Sequence, residues 1–167
     1  MSTATATAAA LKPATAIEGL LRSTLYLPNL SARRKTSALE EMVQALVPAG
    51  VTRYPAAILD LLAQREALGS TAIGKGIAVP HARSALIAER AVLVARSIRG
   101  IDFDAPDGKS VQLFFVIVAP SAGQDPIYLK LLADIVRAVR LTKVRQRLIE
   151  APDFAAVQEV LIHAAAD

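Results

Sequence analysis

The sequence predicts an α/β fold in one domain, a β-sheet covered by helices. Three observations predict it. Strongly β-prone runs at residues 91–97 (AVLVARS) and 111–118 (VQLFFVIV) alternate along the chain with segments of helical periodicity. The length, 167 residues, suits one core large enough to stand without disulfides or a structural metal. No internal repeat at a solenoid period breaks the pattern.

The elements follow in order. Residues 1–13 read as a flexible tail, part of a Ser/Thr/Ala-rich lead whose one charge is Lys12, and residues 14–167 as the domain. The lead lacks the basic start and apolar centre of a secretory signal. Residues 17–22 suit a short helical turn with Leu20 and Leu21 inward, and residues 25–27 a brief strand before Pro28. Ser31 is placed to cap a helix over 32–46 with Leu39, Met42, Val43 and Leu46 inward. Arg33, Arg34 and Lys35 crowd its first turn, the wrong end for the helix dipole, which slightly favours an anionic contact there, although a solvated face is the more ordinary reading. Pro55 suits the first turn of a second helix running to about residue 67, with Ile58, Leu59, Leu62 and Ala63 as its stripe, and Gly69 stops it.

After the two β runs, separated by the turn Pro106-Asp107-Gly108, Pro126 opens a long helix. Its stripe is Ile127, Leu131, Leu132, Ile135, Val136 and Val139. Helices over 143–149 and 154–164 close the chain, the latter capped by Asp153.

Composition excludes several function classes. Cysteine is absent, which removes structural disulfides, thiolate zinc sites and Cys nucleophiles and permits a reducing cytoplasm. The net charge of +4 is spread among fifteen acids, and four Phe and three Tyr with no Trp offer little for base stacking, so nucleic acid is not an expected partner. No apolar run reaches the roughly 18 residues that membrane insertion needs. His81 and His163 are too far apart for a histidine metal site without thiols, no G-x-S-x-G elbow marks a serine hydrolase, and no carboxylate pair stands out for glycosidic chemistry.

The chemistry concentrates in residues 69–84, GSTAIGKGIAVPHARS. Gly69 to Lys75 matches seven positions of the P-loop pattern, but Gly76 occupies the place of the magnesium-binding hydroxyl. The segment also leaves a helix and enters a strand, the reverse of a P-loop's order. The parts still suit a phosphoryl group. Ser70 and Thr71 offer hydroxyls, the glycines let backbone N–H groups approach an anion, and Arg65 and Arg83 supply charged donors. The apolar run Ile77-Ala78-Val79 is expected to stop at Pro80 and deliver His81 into a loop. Its imidazole, with an ordinary pKa of about 6.5, can serve as a nucleophile at neutral pH. It can equally serve only to satisfy a strand-end hydrogen bond, and spacing does not separate the two.

Residues 65–83, REALGSTAIGKGIAVPHAR, resemble the active-site signature of the IIA domains of the bacterial phosphoenolpyruvate-dependent phosphotransferase system, in the fructose/mannitol class that includes the nitrogen-regulatory IIA proteins. The resemblance continues more loosely through IDFDAPDGKSVQLFFVIVAP and YLKLLADIVRAVR. It implies a mixed, mostly parallel sheet flanked by helices and a phosphohistidine at His81, commonly on Nε2. The donor would be phospho-HPr or its nitrogen-branch counterpart, and a IIB domain or a regulatory target would be the next partner. No nucleotide is consumed, and neither a metal nor another cofactor is implied.

By the same resemblance Arg65 neutralises the transferring group and Ser70 and Thr71 are the hydroxyl pair. A second histidine of many members falls here on Tyr128, a neutral hydrogen-bond donor to phosphoryl oxygen. Lys75, where the family more usually has Asn or Glu, adds positive charge that could replace the lost imidazole, with Arg83 as further charge support. The expected role is a cytoplasmic phosphocarrier, closer to nitrogen regulation than to a dedicated sugar importer because no IIB or IIC segment accompanies it. The alternatives are a regulatory binding protein switched by phosphorylation or relieved of it, and a IIA component of a sugar importer.

Overall fold

A computed structural model describes residues 24–166. The expected tail over 1–13 and the turn with Leu20 and Leu21 lie outside the described residues. Eleven elements follow in order: β1 (Thr24–Leu27), α1 (Lys35–Leu46), α2 (Pro55–Ala67), β2 (Ala72–Gly74), β3 (Ile77–Ala78), β4 (His81–Arg83), β5 (Ala91–Ile101), β6 (Val111–Ala119), α3 (Pro126–Val139), α4 (Thr142–Glu150) and α5 (Phe154–Ala166). The strands form one mixed sheet in the order β1-β5-β6-β3-β2, with β4 also on β6. Three of its five pairings, β1/β5, β3/β6 and β4/β6, are parallel.

β6 is the central strand because nearly every residue of VQLFFVIVA is apolar and both its faces must be covered. Alternation sorts its side chains. Phe114, Val116 and Val118 meet Leu39, Met42, Ile58 and Leu62 of α1 and α2 in one core. Leu113, Phe115 and Ile117 meet Leu131, Ile135 and Val139 of α3 and the closing helices in the other. Each of these leucines, isoleucines and phenylalanines contributes about 2 kcal/mol by leaving water. Arg96 ties the layers together, donating from Nε to the Pro28 carbonyl at 2.8 Å and from Nη1 to those of Ile149 and Ala151, each at 2.8 Å.

Several expectations are corrected. Ser31 does not cap α1, which begins at Lys35. The Ser31 and Ala32 N–H groups instead donate to the Glu41 carboxylate, both at 2.9 Å, and hold this segment outside the helix. Ala63 and Ile127 face solvent, the latter 46% exposed, while the unpredicted Asp134 and Ala138 are buried on α3. The strand does not stop at Pro80. Ile77 pairs with Leu113 and His81 with Ile117, both 36 residues on, so β3 and β4 are one line of pairing interrupted only at Val79-Pro80. Proline lacks the N–H that pairing needs, but its carbonyl still accepts from Ile117 N at 2.9 Å and keeps the register.

Candidate active site

His81 sits in β4, half-buried, beside the continuing central strand. Its Nδ1 lies 2.8 Å from the Val79 carbonyl oxygen. A carbonyl can only accept, so this bond places the proton on Nδ1 and leaves the Nε2 lone pair outward. The strand-end hydrogen bond and a nucleophilic role are therefore compatible: the bond orients the ring and leaves Nε2 free.

Alternation along β4 puts His81 and Arg83 on the face covered by α3. There they meet Tyr128 of its first turn. The His81 and Tyr128 rings stand 6.5 Å apart between centroids, tilted by 58°, and the Arg83 guanidinium lies 5.8 Å from the Tyr128 ring centroid. Burial pushes the Tyr128 hydroxyl up to about 12, against the opposing fields of Arg83 and Arg65, so it is a neutral donor throughout the physiological range. Arg83 is also a strut, donating to the Pro120 carbonyl at 3.2 Å and the Gly123 carbonyl at 3.0 Å. Arg65 ends α2 and donates from Nη1 to the Gly69 carbonyl at 2.8 Å, which holds its guanidinium over the loop. Its field is felt at Tyr128.

The Gly69–Gly76 segment is a β-hairpin and not a loop wrapped round the histidine. β2 pairs antiparallel with β3, and Val79 N donates to the Thr71 carbonyl at 3.0 Å. Only its base, residues 69–71, lies beside Val79 and hence His81. Gly74, Lys75 and Gly76 turn at the far end with φ of 87°, 57° and 78°, and Asp107 accepts the Lys75 N–H at 2.7 Å. Strand rise separates the Ile77 and His81 positions by about 13 Å. Lys75 therefore stands at the opposite end of the sheet from His81 and cannot replace an imidazole there.

The two hydroxyls are committed inside the hairpin base. Ser70 Oγ donates to the Phe103 carbonyl and accepts from Ala72 N at 3.0 Å. Thr71 is buried, and its hydroxyl and N–H both donate to the Glu66 carboxylate. Neither proton is aimed at an incoming phosphoryl group in this arrangement, contrary to expectation: the hydroxyls shape the loop.

Two supports escaped the sequence reading. Glu66, buried next to Arg65, is bonded by Lys35 at 2.9 Å as well as by Thr71. Lys35 also pairs with Asp104 at 3.1 Å and lies 4.7 Å above the Phe103 ring centroid. Burial would lower its ammonium, but the hydrogen bonds and charges of Glu66 and Asp104 outweigh that and raise it. The anion expected near the basic triplet of α1 is thus internal. Asp125 caps α3 by accepting Tyr128 N at 3.0 Å and forms a two-pronged pair with Arg90, whose Nη2 is 2.7 Å from Oδ1 and whose Nε is 3.1 Å from Oδ2. Burial would raise its carboxyl, but Arg90, the Tyr128 N–H and the charge of Arg83 together hold it below 3.8. An aspartate directly before a helix-opening proline was a readable cap signal, whereas the partnership with Arg90 had none.

Comparisons with known proteins bear on the family and the fold. Residues 20–164 match the family model described as the phosphoenolpyruvate-dependent sugar phosphotransferase system, EIIA 2. The chain is 39% identical over 127 residues to the fructose-specific EIIA component of Haloferax volcanii, covering 76% of this chain and 82% of that protein. It is 37% identical over 147 residues to a nitrogen regulatory protein of Bradyrhizobium diazoefficiens, covering 87% and 94%. The nitrogen regulatory protein IIA-Ntr of Neisseria meningitidis superposes with a TM-score of 0.74 at 28% identity, covering 84% of this chain and 94% of that one. The mannitol IIA enzyme of Escherichia coli, solved in complex with phosphorylated mannitol IIB, shares the fold with a TM-score of 0.71 at 20% identity, over 83% and 94%. The chain belongs to the EIIA 2 family of the phosphoenolpyruvate-dependent phosphotransferase system, the phosphotransfer components of that system.

Proposed function

We propose that the chain is a phosphocarrier in which Nε2 of His81 takes a phosphoryl group from a phospho-HPr-type carrier. The observation that carries this reading is the Nδ1 contact with the Val79 carbonyl, which leaves Nε2 as the free nucleophilic nitrogen. In the transfer the Nε2 lone pair becomes the new P–N bond as the donor's P–N bond breaks, and the donor imidazole takes back that electron pair. The proton stays on Nδ1, and its hydrogen bond to the Val79 carbonyl stabilises the positive charge the ring acquires. Arg65 neutralises the phosphoryl oxygens, Tyr128 donates its hydroxyl to one of them, and Arg83 adds positive field from the same face. Ser70 and Thr71 act through the shape of the Gly69–Thr71 loop.

Partner docking suits the surroundings. Leu68 is 87% exposed beside Arg65, and Leu129 is 66% exposed next to Tyr128, apolar surface that a carrier domain or a IIB domain would cover. The likeness to nitrogen regulatory proteins supports reading the carrier as one of the nitrogen branch, the setting as cytoplasmic and the output as metabolic regulation. Among the described residues no helix is long and apolar enough to cross a membrane.

The test is incubation with phosphoenolpyruvate, enzyme I and an HPr-type carrier. One acid-labile, base-stable phosphate is expected, absent in His81→Ala and formed about 100-fold more slowly in Arg65→Gln. No label from a demonstrably active carrier would leave a binding protein without phosphoryl chemistry as the reading.

A further inference from the structure

The hairpin tip, left without a role at His81, forms one wall of a separate cavity of about 320 Å³ against the last turns of α3. Its floor is apolar: Ile77 and Val139 are each 1% exposed, Val136 is half-buried, and Ile73, 43% exposed, forms the rim. Two basic residues, Lys75 and Arg140, complete its lining. The Lys75 ammonium and the Arg140 guanidinium make no hydrogen bond or ion pair with any described residue.

Lys75 is held there at a cost. It adopts φ +57° between two glycines, a conformation that a side chain disfavours, and Asp107 pins its N–H at 2.7 Å. The carboxylate of Asp107 is spent on that backbone and on the Lys109 N–H at 3.1 Å. The negative end of α3 is covered as well. Arg145 Nη1 donates to the carbonyls of Val139 and Arg140, each at 2.7 Å, so the carbonyls that would repel an anion are occupied.

We infer that this cavity binds a small amphiphilic organic anion, a carboxylate or phosphate monoester whose head lies between Lys75 and Arg140 and whose hydrocarbon body covers Ile73 and Val136 above the buried Ile77 and Val139. Two basic side chains without a partner among the described residues, beside the exposed Ile73 and half-buried Val136, suit both parts of such a ligand: the charge orients it and the body displaces water. The site is independent of phosphoryl transfer and lies at the other end of the sheet from His81.

The experiment is titration of the full ¹⁵N-labelled chain, followed through its backbone amides, with hexanoate, hexyl phosphate, inorganic phosphate and 1-hexanol. Hexanoate or hexyl phosphate should give saturable shifts confined to residues 73–77 and 136–140, with a Kd of about 1 mM or tighter. The tighter of the two identifies the head group. Lys75→Gly, whose glycine accepts the local φ, and Arg140→Ala should each weaken that binding about tenfold, with amides elsewhere unmoved. No saturation up to about 10 mM would overturn the assignment. So would equal binding by inorganic phosphate or by hexanol, or affinity untouched by both variants.

Discussion

Replacing Asp125 by alanine removes two supports of Tyr128 at once. The carboxylate caps α3 through Tyr128 N at 3.0 Å, and losing such a cap costs about 1 kcal/mol. The same group holds Arg90 through two donors. Arg90 is 28% exposed and Asp125 13% exposed, so solvent screens the pair and its loss adds about 1 kcal/mol rather than the several expected of a fully buried one. The sum, about 2 kcal/mol, should lower Tm by about 4–8 °C for a domain of this size. Asp125→Asn separates the two contributions, because asparagine caps as well as aspartate but carries no charge. It should lose about half as much.

The pH dependence has a definite sign. The folded-state carboxyl lies below 3.8, so its contribution is present above that value and fades as the pH falls through the lowered folded one. Urea unfolding of both variants, compared at neutral and acid pH, reads these quantities. An alanine variant within about 0.5 kcal/mol of the parent would refute the reasoning. An asparagine variant as damaged as alanine would remove the cap from it.

Two further outcomes follow from the same geometry. Spectrophotometric titration should show one tyrosine ionising near 12, lost in Tyr128→Phe; because burial favours the neutral phenol in the folded state, stability should decline as the pH rises from about 10 towards 12. If all the tyrosines titrate together near 10, Tyr128 is not buried as described. Glu66→Ala should cost about 2 kcal/mol in urea unfolding, since it leaves both buried Thr71 donors unsatisfied and removes one of the two carboxylates that Lys35 pairs with, and it should slow His81 phosphorylation through the displaced Arg65 loop. A variant as stable as the parent would mean that this buried cluster does not hold the loop.

Much of the architecture was legible because periodicity reports burial. The alternating and continuous apolar runs marked β5 and β6, and the 3.6-residue stripes together with Pro55 and Pro126 marked the first turn of α2 and the first residue of α3. The apolar run 77–79 marked β3, but its hairpin partner β2 was not legible, since a three-residue strand ending in glycine carries no period and is made by pairing across the sheet. That one omission misplaced Lys75, which closeness in sequence put near His81 and the antiparallel return put at the other end. His81, Arg65 and Tyr128 were readable as residues. What they lean on, Asp125 with Arg90 and Glu66 with Lys35, joins segments 31 to 35 residues apart, and such pairs exist only in the folded chain.

The central claim is that Nε2 of His81 is the atom that accepts the phosphoryl group. It is tested most directly by ¹⁵N-histidine and ³¹P NMR of the protein phosphorylated by its carrier. Phosphorus coupled to Nε2 of His81, with Nδ1 still protonated on the Val79 carbonyl, is the predicted result. Phosphorus on Nδ1, or on any residue other than His81, would contradict the account.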